Sequence, residues 1–123
     1  MSTGKDRILL GRWGESIVAQ DLRRKGCRIL AANWRCRMGE IDLIAADKSC
    51  LRFVEVKLRK DDSFAQAKEF VDRRKQEKLR VTAQLYLTRH PTSLQPRFDV
   101  AEVYAPQGIN TMDPRIIYTE NAF

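Results

Sequence analysis

The chain is poor in the side chains that soft-metal and thiol chemistry require. It has one histidine, His90, and three cysteines, Cys27, Cys36 and Cys50, with no CxxC spacing. An odd count without that spacing reads as reduced thiols and a cytoplasmic setting. A structural zinc site would have to recruit all three cysteines and His90 together. No apolar run approaches the roughly 20 residues needed to span a bilayer, and Met1–Arg7 lacks the apolar core and small-residue cleavage site of a secretory signal. There is no internal repeat and no low-complexity tract. With 123 residues, 43% of them apolar, the chain has room for one compact domain with a real core, and full-length disorder is excluded.

Positive charge is abundant. The 23 Lys and Arg against 16 Asp and Glu give a net charge of +7, which favours polyanionic partners. From Leu22 to Gly39 there are six basic residues (Arg23, Arg24, Lys25, Arg28, Arg35 and Arg37) and no acid, with Trp34 beside two of the arginines. A second cluster, Arg73, Arg74, Lys75, Lys78 and Arg80, is diluted by Asp72 and Glu77. Cations on one face suit phosphate contacts, and a solvated charged face is the simpler account of either cluster.

The periodicities predict a helix from about Leu10 to Lys25, closed by Gly26 as a left-handed cap. Strands follow near Arg28–Trp34, Glu40–Ala46 and Leu51–Arg59. A long helix is expected over Val71–Leu87, ending before Pro91. A strand Arg97–Tyr104 comes next, with a short edge strand near Ile116–Tyr118. The order αβββαβ suggests an α/β fold, a mixed β-sheet flanked by helices.

The informative residues are charges set among apolar ones. In Leu51–Arg59, alternation puts Leu51, Phe53, Glu55 and Lys57 on one face, with Glu55 and Lys57 about 7 Å apart. A hairpin turn centred between Lys48 and Ser49 places Asp42 directly opposite Glu55. Opposed side chains sit roughly 4.5–5.5 Å apart. Two carboxylates that close repel unless a proton or a cation intervenes, and a hard ion such as Mg²⁺ or Mn²⁺ suits oxygen ligands. A cross-strand salt bridge on a solvated face is the plainer reading, but the apolar flanks of Asp42 and Glu55 are those of buried strands. Glu15 shares a helical stripe with Val18, Ala19 and Leu22; it either points at the sheet or reaches water at the stripe's margin. Lys75 lies between Val71 and Leu79 at helical spacing. Its stem either covers apolar surface or its ammonium contacts a phosphate, with Gln76 a weaker candidate beside it.

Asp42, twelve intervening residues and then Glu55-Val56-Lys57 resemble the D…(D/E)-x-K core of the restriction-endonuclease-like superfamily. A helical glutamate ahead of it, Glu15, is similar to the arrangement in archaeal Holliday-junction resolvases. More narrowly, several segments resemble the YraN-like family of small bacterial predicted endonucleases. These are Gly14-Glu15, Gly39-Glu40-Ile41-Asp42-Leu43-Ile44, Phe53-Val54-Glu55-Val56-Lys57, Lys75-Gln76 and Arg97-Phe98-Asp99-Val100. The resemblance spans about residues 8–104 of a single domain and leaves 105–123 as a C-terminal extension. One departure is Ile41, where the superfamily often has proline. The resemblance implies a restriction-endonuclease-like core and an Mg²⁺- or Mn²⁺-dependent endodeoxyribonuclease. In that reading Asp42 and Glu55 bind the metal, Lys57 is catalytic and Glu15 accessory to catalysis. Arg35, Arg37, Arg74, Lys75 and Gln76 are the candidate nucleic-acid contacts. DNA is expected before RNA, branched or junction DNA included, with no membrane and with a homodimer left open. Lys60–Phe70 is a candidate flap, and Asp99 is assigned no role. The alternative is a catalytically inactive nuclease-like module that binds nucleic acid or a partner protein.

Overall fold

The computed structural model describes residues 4–60 and 71–123. Helix α1 (Gly4–Arg24) leads into strands β1 (Arg28–Cys36), β2 (Gly39–Ala46) and β3 (Cys50–Arg59). Helix α2 (Arg73–Arg89) and strand β4 (Gln95–Tyr104) follow, then a 3₁₀ turn at Gly108–Asn110 and strand β5 (Arg115–Thr119). The five strands form one mixed sheet in chain order, antiparallel throughout except for the parallel β3–β4 pair. The candidate flap Lys60–Phe70 lies, all but Lys60, outside the described residues.

Each helix packs on its own face of the sheet. Val18, Ala19 and Leu22 of α1 bury against Leu43, Ala45, Val54, Ala101 and Val103. Leu79, Ala83 and Tyr86 of α2 bury against Ile41, Ile44, Phe53 and Val100. Burial on both faces explains why the central strands read as near-continuous apolar runs rather than alternating ones.

Helix α1 ends as predicted. Gly26 adopts φ +92°, the Gly26 N–H donates to the Arg23 carbonyl, and the Cys27 N–H donates to the Leu22 carbonyl. This is the paired closure of a Schellman motif, with buried Cys27 beyond it. The helix starts six residues earlier than its apolar stripe suggests, because Ile8 and Leu9 face solvent and leave the first turns without a periodic signature. Helix α2 starts at Arg73, two residues later than expected: the Asp72 side chain caps it by accepting the Lys75 N–H at 2.8 Å. Val71 stays outside the helix, buried against α2's core cluster.

The β2–β3 register is the predicted one, with Leu43↔Val54, Ile44↔Phe53, Ala45↔Arg52 and Ala46↔Leu51. Asp47 sets the turn: its Oδ1 accepts the N–H groups of Ser49 and Cys50, and its Oδ2 receives Arg52. Asp99, fully buried, ties the far end of the sheet together through Arg97, the Tyr118 hydroxyl and the Asn121 N–H.

A candidate acidic cleft at the fork between β2 and β3

The β2–β3 ladder ends at Leu43↔Val54. Beyond it β2 stays with β1 as far as Cys36↔Gly39, and β3 stays with β4 as far as Arg59↔Tyr104. The sheet therefore forks, and Asp42 and Glu55 are the first residues past the last pair. At the crotch Asp42 Oδ2 accepts the Val56 N–H at 2.9 Å, satisfying a backbone donor that the parting strand leaves behind. The Asp42 carboxyl is also within hydrogen-bonding reach of Glu55 and of Glu15. Three acids from three elements thus converge.

Each acid is delivered by a local feature. Asn33, opposite Asp42 in β1, has φ +54°. Asparagine is among the few residues that tolerate this left-handed conformation. The kink turns its amide toward α1, where Nδ2 donates to Glu15 Oε1 at 2.8 Å. The neighbouring Gly14 lets α1 approach β3 closely, since a Cβ there would lie 2.8 Å from Leu58 Cδ2. On the opposite face α2 brings Lys75, whose Nζ is 2.5 Å from Glu55 Oε2, while Lys57 Nζ is 3.8 Å from the same oxygen. Glu55 is only 6% exposed and thus meets two ammonium groups.

Burial and the nearby Glu55 charge push the Asp42 pKa up to about 8, against the partial relief of the Val56 N–H. Burial raises the Glu15 carboxyl as well, with the Asn33 hydrogen bond opposing it. Lys75 is raised: burial works against its charge, but the hydrogen bond to Glu55 and the charges of Glu55, Asp42 and Asp72 outweigh it.

Asp42, Glu55, Lys75 and Lys78 line an open cleft of about 420 Å³, with Arg35 and Glu40 at its rim. Lys57 and Glu15 do not line this cleft but stand beside its acids, Lys57 against Glu55 and Glu15 against Asp42. The other expected contacts divide. Arg35 is paired with Glu40. Arg37 and Arg74 share an adjoining recess. Gln76 is turned away, its Nε2 donating to the Val71 carbonyl. The acid-free basic run does not form one surface: Arg23–Arg28 and Arg35–Arg37 lie at opposite ends of β1, roughly 20–25 Å apart at about 3.3 Å per residue. Lys25 is held by Asp21 and lies over the Tyr118 ring. Trp34 is half-buried and packs edge-on against Tyr86 beside the α2 core. Asn33 was not among the expected residues, and a lone asparagine inside an apolar strand run was its only signal.

The donor set suits a hard divalent ion: two adjacent carboxylates, with the Asp42 pKa raised by burial and by the charge of Glu55. Among the described residues no group of three or more His, Cys, Asp or Glu side chains is placed to hold a metal. Two carboxylates are nonetheless enough for Mg²⁺, which keeps several of its waters and needs only one or two protein acids. All three cysteines are free thiols, and no described helix is long and apolar enough to cross a membrane.

Fold and cleft together define a mixed α/β domain whose central sheet opens onto a cluster of acids and lysines. The chain belongs to Uncharacterised protein family UPF0102, which it matches over residues 14–103. It is 43% identical to a UPF0102 protein of Caldanaerobacter subterraneus over 93% of each chain. It is 42% identical to one of Pelotomaculum thermopropionicum over 95% of this chain and 97% of that one. With one of Syntrophotalea carbinolica the identity is 48% over 79% of this chain and 80% of the relative.

Proposed function

We propose that this protein is a divalent-metal-dependent endonuclease with a restriction-endonuclease-like core, hydrolysing phosphodiester bonds of DNA. The observation that carries the reading is the meeting of Asp42 and Glu55 at the strand fork with two lysines on the same glutamate. The αβββαβ order and the mixed sheet are compatible with such a core. Asp42 and Glu55, with the Val56 carbonyl as a further candidate, would hold Mg²⁺ or Mn²⁺. Such an ion would supply polarisation of the scissile phosphate and a lowered pKa for a coordinated water.

The remaining chemistry belongs to side chains. Lys57 Nζ orients the attacking water and stabilises charge developing on the phosphate oxygens. Glu15 uses Oε1 to hold Asn33, which leaves Oε2 to fix the Asp42 carboxyl or to accept a proton. Lys75, once released from Glu55, presents its ammonium to the substrate phosphate. Lys78 and Arg35 at the cleft contribute further phosphate contacts.

The alternative is a catalytically inactive nuclease-like module that binds nucleic acid or a partner protein. The Lys75–Glu55 ion pair, which already neutralises one acid, is the observation in its favour. Incubation with labelled linear, branched and single-stranded DNA, with and without Mn²⁺, separates the two. The nuclease reading expects cleavage that EDTA stops and that Asp42→Asn abolishes while DNA binding persists. Equal cleavage by Asp42→Asn and the parent refutes it; salt-sensitive binding without cleavage supports the module. Cutting symmetric branched junctions would further require two sites related by a two-fold axis.

A further inference from the structure

Beside the acidic cleft runs a second, larger groove of about 820 Å³, between the β1–β2 turn and the outer face of α2. Cys36 lines both the groove and the acidic cleft, and Lys78 lines both that cleft and the recess adjoining the groove, so the three adjoin one another. The groove's walls are apolar: Met38 at the turn is 46% exposed, Val81 on α2 is 37% exposed, and Leu85 lies one helical turn beyond. Its rim is cationic. Arg37 and Arg89 flank it, and Arg74 and Lys78 line the adjoining recess. Among the described residues none of these four cations takes part in an ion pair, and Glu77 is the one acid lining the groove or the recess.

We infer that this groove holds the bases of an unpaired nucleic-acid segment while its phosphates lie along the Arg37, Arg74, Lys78 and Arg89 rim. The inference rests on the reading of the cleft as a phosphodiester site and specifies the substrate there as single-stranded or flap-like. The charge and the apolar walls point to that occupant together. A duplex presents phosphates outward and keeps its base faces stacked, so it has no use for Met38 and Val81. A second copy of this chain carries the same +7 charge and would set like-charged rims against each other. An unpaired strand presents apolar base faces and phosphates at once, so its bases can bury against Met38, Val81 and Leu85 while the cations track its backbone.

The test measures fluorescence anisotropy in EDTA with a labelled oligothymidylate and a blunt duplex of equal length, so that binding is read without cleavage. Met38→Ser/Val81→Ser is expected to weaken single-strand binding about tenfold and duplex binding less than twofold. Arg37→Gln and Arg89→Gln are each expected to weaken both, and to flatten the salt slope by about 0.7 for the single strand. Both apolar positions are exposed, and a thermal melt verifies the fold; Met38→Ser alone, in the turn, serves if the double variant fails to fold. Unchanged single-strand affinity in the serine variants overturns the inference, as does an equal loss on the duplex. So does a parent that self-associates through this face and is made monomeric by the same substitutions without change in oligonucleotide affinity. Selective single-strand loss in a protein that never cleaves with Mn²⁺ leaves the groove standing and removes the nuclease. Cleavage together with unchanged single-strand affinity does the reverse.

Discussion

Asp42→Asn should make the metal-free protein more stable. The parent holds Asp42 against Glu55 and within reach of Glu15, mostly out of water, so its carboxyl is displaced from near 4 to about 8. In the folded state the group therefore keeps its proton through a range in which the unfolded chain has lost it. Between about pH 4 and pH 8 the native state binds more protons than the unfolded one. Stability from this group thus falls as pH rises through that window. Each pKa unit corresponds to about 1.4 kcal/mol, but Lys75 and Lys57 offset part of the repulsion through Glu55, and removing Asp42 also removes its attraction for Lys75. A net gain of about 2 kcal/mol at pH 8 remains, or roughly 8 °C in melting temperature for a chain of this size. Asparagine keeps a carbonyl for the Val56 N–H and supplies an amide donor for Glu55, so no new buried group is orphaned. Thermal melts of parent and variant from pH 4 to pH 8.5 in EDTA check this. The two curves should coincide near pH 4 and part steadily above it. Adding Mn²⁺ should then raise the parent at pH 8 and leave the variant nearly unmoved. A variant no more stable than the parent at pH 8 in EDTA would show that the two acids do not share a site.

Other substitutions probe how the fork is assembled. Lys75→Met removes the near partner of buried Glu55; it should cost about 1 kcal/mol in EDTA, half-exposed as the lysine is, and Mn²⁺ should recover the loss in a thermal melt. Asn33→Ala loses both the left-handed tolerance and the Glu15 hydrogen bond, for about 2 kcal/mol by urea denaturation. Asn33→Gly loses only the bond and should cost about half as much; equal costs would mean that the φ of +54° is not a constraint. Gly14→Ala drives a methyl into Leu58 and should destabilise by about 1–3 kcal/mol. Most of that loss should return in Gly14→Ala/Leu58→Ala relative to Leu58→Ala alone, by a double-mutant cycle.

The parts of this fold that are legible from the chain are those controlled by short-range chemistry. Gly26 closes α1 because only glycine takes φ +92° without strain, and Asp47 pins the hairpin through two adjacent N–H groups. From that turn the register follows, and with it the meeting of Asp42 and Glu55. Glu15 was ambiguous from its stripe alone, and only the third dimension decides that it faces the sheet. The fork itself has no local signature. The runs around Asp42 and Glu55 read as ordinary buried strands, yet pairing stops between Leu43 and Asp42 while each strand keeps the partner on its outer side. The basic run divides for a similar reason: seven residue steps of extended strand carry Arg35 away from Arg28. Lys75 could be placed on the apolar side of α2 by periodicity, but its capture by Glu55 depends on how α2 is seated over the fork.

The arrangement also explains why the site sits where it does. A sheet interior is a poor place for two acids, because every strand there has both neighbours and both faces covered. Opening the β2–β3 ladder breaks the backbone pairing and creates room in the same step. Asp42 then repairs one lost backbone contact by capping Val56, and α1 and α2 reach the gap from opposite faces with Glu15 and Lys75. The acids are thus held rigidly by the core elements while remaining open to solvent through the cleft, as the proposed metal site would require. Lys75 is the natural group to leave. It is the half-exposed member of the cluster, on a flexible stem, and an arriving divalent ion would supply Glu55 with more charge than the ammonium does. Under the nuclease proposal, exchange at that oxygen would leave Lys75 free beside the substrate, so the side chain that neutralises Glu55 in the metal-free protein would become a phosphate contact.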